Sequence, residues 1–374
     1  MLAIQKYLAE HGLEKAINTF ELKSRDYNHK ILLKYDQLSS ATLMAFPEVQ
    51  DCRGIVLEKN TWKVMSLAFR KFFNAEESNA AKIDWNTASV LEKLDGSMIQ
   101  LYYDWIDSKW YAGTTGTANG EGEVNNQDGS TFNQLFWRTL ENKYSFETDS
   151  LNKDYIYVFE LTTPYNIVVK PHGESSVTLL TVRDRETLRE KSMSELAIIS
   201  ESLGVHLVKT FDMNVRNAGQ LMSTFNGMPW SEEGYVVRDG NNNRIKVKNP
   251  AYVAVHHLKG KTAEHNIMTI VKTNEIEEFA ATFPERAEEL YRLKENYNAL
   301  LTKLNNAWEE LKPQAPVDKD KADQKRYAMA VFDTCKRLEL DSFTSLFFGL
   351  AQNRVKNVNE FLSDYDDKLL YKIL

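Results

Sequence analysis

The sequence predicts an α+β protein in two parts, with antiparallel sheets over residues 1–255 and an all-α region over 256–374. Three observations predict it. The chain has 374 residues, more than one compact domain usually holds. Up to about residue 255, short segments rich in β-branched and aromatic residues recur between Gly, Asn, Asp and Pro. Beyond about residue 256 the apolar residues fall three and four apart, which is the helical period.

In chain order, "MLAIQKYLAEHGLEKAINTF" mixes polar and apolar residues at helical spacing and lacks the apolar core of a signal peptide. Strands are predicted at "GIVLEK", "SVLEKL", "MIQLYYDW", "KWYAGTTG", "YIYVFEL", "NIVVK", "VTLLTVRD", "GYVVRDG" and "NRIKVKN". "VLEKLDGSMIQLYY", Val90 to Tyr103, reads as strand, tight turn, strand, because Asp-Gly tolerates the positive φ of hairpin turns. "RDGNNNR" reads as a second hairpin loop, and "SMSELAIISESLG" as a helix ended by Gly204. In the second part a helical pattern over "NEIEEFAATFPERAEELYRLKENYNALLTKLNNAWEELK" is interrupted by Pro284. A polar connector, Lys312 to Lys325, follows. "RYAMAVFDTCKRL", "SFTSLFFGLAQN" and "VNEFLSDYDDKLLYKIL" then read as three more helices.

Composition narrows the function. The chain is 43% apolar and 26% charged, ordinary for a soluble globular protein, and has no window apolar enough to span a bilayer. Two cysteines, Cys52 and Cys335, suit a reducing cytoplasm rather than a disulfide framework. The seven histidines show no metal-ligand spacing. A net charge of −7 argues against a simple nucleic-acid coat but allows a local basic cleft. "VHHLKGKT" places Val255 where a phosphate-binding loop needs its first glycine, and neither a dinucleotide fingerprint nor a nucleophile elbow is present. A nucleotide enzyme built from this chain has to hold phosphates with side chains.

One ordered set of charged residues can do so. Lys93 ends an apolar run before Asp-Gly-Ser, Glu160 sits near the end of "YVFELTTP", and Glu233 precedes Gly234 and a strand. Lys246 and Lys248, two apart, share one strand face. Upstream lie Arg53 in "DCRGI" and Lys71 in "RKFFN". Taken singly, each has an ordinary reading as a turn residue, an ion-pair partner or a solvated strand face. Together they suit phosphoryl chemistry. A lysine attacking phosphorus must be neutral, although an ordinary lysine stays protonated to about pH 10, and nearby cations with partial desolvation favour the neutral form. The remaining cations can stabilise a departing pyrophosphate. Carboxylates can hold hydrated Mg²⁺, which prefers oxygen ligands.

Lys93-Leu-Asp-Gly, Glu160, Glu233-Gly234 and Lys246-Val-Lys248 resemble, in order, the motifs of the covalent nucleotidyltransferases, which include ATP-dependent ligases and capping enzymes. The finer resemblance is to the tRNA-repairing RNA ligase 1 family of T-even phages. It extends into the helical tail around "RYAMAVF". The resemblance implies an antiparallel-sheet nucleotidyltransferase domain of ATP-grasp-like ligase type, followed by a helical domain that selects RNA. It implies that Lys93 takes AMP from ATP, that AMP passes to an RNA 5′-phosphate, and that a 3′-hydroxyl then displaces it. Tyr35, Arg53, Lys71, Glu160, Lys246 and Lys248 would bind ATP, while Glu233 and Tyr252 would be needed for sealing. Glu160 and Glu233 would hold Mg²⁺ or Mn²⁺, together with an acid in "TNEIEEF", Glu277 or else Glu275 or Glu278. The partners implied are single-stranded RNA or a nicked tRNA and a polynucleotide kinase-phosphatase, for a monomer working away from membranes, in the host cytoplasm if phage-encoded. Two departures stand out: Leu94 replaces an acid, and Thr115 replaces a lysine in "GTTGTA", where Thr114 and Thr115 can still hydrogen-bond phosphate or ribose.

Two rival readings remain at this level. A DNA ligase or capping-type enzyme shares the motifs but usually continues into a β-barrel, against the helical pattern here. A non-catalytic RNA-binding protein would use Trp105, Trp110, Phe132, Phe136 and Trp137 to stack bases, although most of these suit a core or sheet face better.

Overall fold

The computed structural model describes residues 1–374 apart from 38, 125–128, 145, 147, 167, 259–262, 274, 283 and 317–320. The Gly-Lys-Thr at 260–262 therefore lies outside the described residues, as does part of the polar connector. The chain divides into two compact units, Met1–His257 and Leu258–Leu374.

Three sheets form the first unit. One holds Lys23–Asp26, Lys30–Lys34, Arg53–Glu58 and Val64–Ser66 in that order, antiparallel throughout. The helices Ala3–His11 and Leu13–Phe20 bury Ile4, Leu8, Ala16 and Phe20 in the same core as its apolar residues Ile31, Leu33, Ile55 and Leu57. The second sheet runs His206–Leu207, Ser176–Asp184, Tyr155–Thr162, Ser97–Asp104 and Lys109–Gly113, with only its short first strand parallel to its neighbour. The third runs Thr210–Phe211, Ser89–Glu92, Gly234–Arg238, Arg244–Lys248 and Phe73–Asn74. In it, Arg244–Lys248 turns Ile245 and Val247 into the core, which leaves Arg244, Lys246 and Lys248 on the other face.

The stretch around Lys93 is not a hairpin. Ser89–Glu92 and Ser97–Asp104 belong to different sheets, so Lys93 to Gly96 carries the chain from one sheet to the other. The Asp95 carboxylate accepts from the amides of Val169 (2.9 Å) and Lys170 (2.5 Å) rather than closing a turn. Gly96 is needed for room, since a Cβ there would lie 2.6 Å from the Leu161 carbonyl oxygen. "RDGNNNR" does form the predicted hairpin, with Arg238 opposite Arg244 and Asn242 at φ 65°. "SMSELAIISESLG" forms the helix Met193–Ser202, capped by Ser192 and followed by Gly204 at φ 64°.

Other differences have local causes. "NIVVK" holds no strand among the described residues; its backbone instead bonds to Asp95. The strand Lys23–Asp26 was not foreseen because all four of its residues are exposed, so no apolar alternation marks it. Phe132–Lys143 is a helix with a Thr131/Gln134 capping box. It places Phe136 in the core with the partly buried Phe132 and Trp137 packed on it, which removes Phe136 as a base-stacking surface.

The second unit is all helix among the described residues. The long helix Ala287–Leu311 buries Leu290, Leu293, Tyr297, Leu300, Leu304, Ala307 and Leu311 at three- and four-residue spacing. Pro284 lies in the 3₁₀ turn before it. The final predicted helix is two, Val358–Asp364 and Asp367–Ile373, because Asp366 caps a new start by accepting from the Leu369 amide. Ala263–Lys272 is a further helix. Its Lys272 is buried in an ion pair with Asp367 at 2.6 Å and also donates to the Tyr365 carbonyl. Among the described residues no helix is long and apolar enough to cross a membrane.

Candidate active site

Register places the first functional side chains. Gly234 pairs with Lys248 across one ladder, and its carbonyl accepts from the Lys93 amide at 3.0 Å on the other side. Lys93, Gly234 and Lys248 therefore lie side by side across three neighbouring strands. Gly234 has φ 129°, and a Cβ there would lie 2.3 Å from the Val247 carbonyl oxygen, so only glycine fits this row. The preceding Glu233 is buried, and its carboxylate lies 2.5 Å from Lys93 Nζ. Glu160 comes from the second sheet, opposite Met98 at the start of the strand that resumes after Lys93.

These residues line one cleft of about 570 Å³. Arg53, Lys93, Glu160, Glu233, Lys246, Lys248 and Tyr252 all reach it. Tyr252, on the helix Pro250–Leu258, is buried and stacks on His256 with ring centroids 6.2 Å apart. Tyr35 and Lys71 do not line the cleft. Lys71 Nζ sits over the Tyr35 ring at 4.8 Å and over Phe73 at 5.0 Å. It remains electrostatically close, since it contributes to the shift at Lys246. Glu277 belongs to the helix Ile276–Thr282 of the second unit, with Glu275 just before that helix.

The cleft holds charges that do not balance. Burial pushes the Glu160 carboxyl up to about 8, with Lys93 opposing the rise and the Glu233 charge adding to it. Burial pushes Lys246 down to about 7, and Lys248, Lys71, Arg53 and Lys93 all add to that fall. Arg53 spreads over the Phe72 ring at 5.0 Å, but its Nη1 is buried with no hydrogen-bond partner. Such an orphaned donor fits a phosphate oxygen. A buried Glu160 carboxyl whose rise the neighbouring Glu233 charge adds to fits a divalent cation with oxygen preference, so the residues present suit both ATP and its metal.

Sequence reasoning missed Phe72 and Arg244, which also line the cleft. Phe72 stood inside the quoted "RKFFN", but nothing local shows that both Arg53 and Lys246 lie over its ring. Thr115 lines the cleft, and the close approach of its backbone to Gly54 explains that glycine's place. The Thr114 hydroxyl is turned to its own loop, where it bonds Thr117 Oγ1 and accepts from the amides of Gly116 and Thr117.

The chain is similar to an RNA ligase of Rhodothermus phage RM378, at 26% identity with 86% of each chain covered. It is also similar to a putative bifunctional polynucleotide kinase/RNA ligase of Autographa californica nuclear polyhedrosis virus, at 26% identity over 76% of this chain, and spans 42% of that protein. Among solved structures, an archaeal ATP-dependent RNA ligase aligns over 93% of this chain and 83% of its own at 13% identity, with a TM-score of 0.45. A family profile described as RNA ligase matches residues 51–252. That span opens two residues before Arg53, closes on Tyr252, holds every residue found in the cleft but Lys34, and covers more than half of the sequence: the chain belongs to the RNA ligase family.

Proposed function

We propose that the protein is an ATP-dependent RNA ligase that joins RNA 5′-phosphate and 3′-hydroxyl ends through lysyl-AMP at Lys93, and that broken tRNA is its preferred substrate. The observation that carries the reading is Lys93 Nζ, held by Glu233 in a cleft lined by Arg53, Arg244, Lys246 and Lys248.

The chain's own residues divide the work. To attack, Lys93 gives up the proton of its ion pair with Glu233, and Nζ forms the P–N bond as pyrophosphate leaves. Arg53, Lys246 and Lys248 stabilise the charge that builds on the phosphates. Leu91, Met98, Leu180, Val208 and Val236 give the cleft an apolar wall suited to a purine ring. Once the amine carries AMP as a phosphoramidate, Glu233 is released from the pair and is available to the later steps. Glu160 and Glu233 would hold Mg²⁺ or Mn²⁺, which when bound offsets phosphate charge; Glu277 is the further acidic residue proposed for metal. Residues 1–257 carry adenylylation, and the helical unit selects the RNA.

A ligase of this kind needs healed ends, so a kinase-phosphatase is the partner expected. The baculovirus relative is named as a kinase as well as a ligase, which supports that pairing. The test is intact mass after incubation with ATP and Mg²⁺, in parallel with GTP and with Lys93→Ala. A gain of one AMP on the wild type, reversed by pyrophosphate and absent from the variant, is expected. No adduct with either nucleotide would favour a protein that only binds RNA.

A further inference from the structure

A second cavity of about 330 Å³ shares Phe69, Phe72 and Arg244 with the cleft. Arg70, Lys71, Arg183 and Arg189 also line it, against the single carboxylate of Glu190. We propose that this cavity is a phosphate-binding site for an oxyanion that enters or leaves the cleft, either the released pyrophosphate or a backbone phosphate of the RNA end. The proposal rests on the ligase reading and extends it to Arg183 and Arg189, which belong to none of the sequence motifs.

The cavity is built from charge that its own partners do not exhaust. Glu190 is buried and serves two guanidinium groups, Arg183 through Nη2 at 2.6 Å and Arg244 through both Nη atoms. Arg183 is only 8% exposed. Its other Nη bonds reach the carbonyls of Leu188 and Ala68, which leaves Nε buried with no hydrogen-bond partner. A guanidinium so enclosed should have every donor met. Lys71 brings a further ammonium to the wall. Arg70 is answered by Asp51 at 2.6 Å, and Arg189, largely exposed at the mouth, lies 3.7 Å from Glu195. Asn241, Asn242 and Asn243 of the hairpin loop add neutral polar groups. An anion with several oxygens would satisfy the orphaned Nε and offset the excess of positive charge. The shared wall of Phe72 and Arg244 would let one end of such an anion remain in the cleft.

The test uses the full chain carrying Arg189→Gln and, separately, Arg183→Lys. On adenylylated protein, one arm reads the pyrophosphate concentration that discharges half of the AMP. The other reads the concentration of 5′-phosphorylated RNA that half-saturates AMP transfer. A rise of fivefold or more in the first arm alone assigns the site to pyrophosphate, and in the second alone to RNA phosphate. Unchanged values in both arms for Arg189→Gln overturn the proposal, even if Arg183→Lys fails to fold. If the wild type forms no adduct, the ligase reading fails by itself. The cavity is then read from inorganic pyrophosphate alone: a rise in Tm for the wild type that Arg189→Gln loses keeps the site, and equal shifts in both remove it.

Discussion

Two clusters of buried charge share the strand Arg244–Lys248, and they behave in opposite ways. Around Glu190, burial alone would raise the carboxyl, but Arg244 and Arg183 hold it down at about 2. There the carboxylate is held in its charged form by direct contact with two guanidinium groups. In the cleft, two residues further along the same strand, Lys246 is pushed down to about 7 and Glu160 up to about 8, each toward its neutral form. The difference lies in pairing. Arg244 meets a carboxylate, whereas Lys246 meets other cations. A direct partner holds a group in its charged form, whereas burial among charges of its own sign drives it toward the neutral one.

The sharpest break of this contrast is at the nucleophile. Lys93→Ala should give no AMP adduct by mass, because the variant lacks the Nζ that forms the P–N bond, and Lys93→Arg should fail too because guanidinium stays protonated. An adduct on either variant would sink the assignment. Next, Lys248→Ala should slow adenylylation by roughly 10²–10³-fold in a single-turnover assay, the usual cost of removing one preorganised group that stabilises charge. Near-normal pyrophosphate release would contradict the role.

Glu190→Gln tests the other cluster. It should leave Arg183 and Arg244 buried without a counter-charge and cost about 3–5 kcal/mol in denaturant unfolding. The same residue sets an acid limit. Its folded carboxyl is held below its unfolded value, so its stabilisation is complete above about pH 4.5 and is lost as pH falls toward about 2. The variant should lose that part of the acid dependence. A denaturation midpoint unchanged from wild type would show that Glu190 only fills space.

Lys246 gives the corresponding effect in the cleft, with a smaller size. Its positive charge is present below about pH 7 and lost above it in the ligand-free protein. Apparent ATP affinity in adenylylation should therefore weaken as pH rises through 7, with a proton taken up on binding. Lys246→Arg keeps its charge and should flatten the profile. An identical profile in both would place the titration elsewhere.

The contrast also explains what the sequence could show. Lys93, Glu233, Lys246 and Lys248 were legible because each lies at or beside a strand with a local apolar pattern. Their neighbourhood was misread at Asp95-Gly96, since a turn signal is local and membership of a sheet is not. Gly96 answers to the Leu161 carbonyl oxygen, a residue far along the chain. Glu190 and Arg183 were illegible for the same reason. Arg183 lies near the end of the predicted strand "VTLLTVRD" and Glu190 lies in the charged stretch after it, and their burial with Arg244, 54 positions beyond Glu190, has no local signal. The first strand, "KSRD", carries no apolar residue at all.

The helical unit extends the comparison from strands to whole units, and its expected effect is on choice rather than chemistry. Among the described residues its core runs from Ile267 to Leu370, and every cleft residue named above lies in the first unit. Truncation after His257 should thus keep formation of lysyl-AMP while reducing the preference for a nicked tRNA over a linear RNA oligonucleotide by several-fold. The readout is the ratio of sealing rates on the two substrates, with the mass adduct as the check that the first unit is intact. An unchanged ratio with a normal adduct would assign substrate choice to the first unit. Loss of the adduct would mean that the helices also support the cleft, and that the division of labour proposed for the two units is wrong.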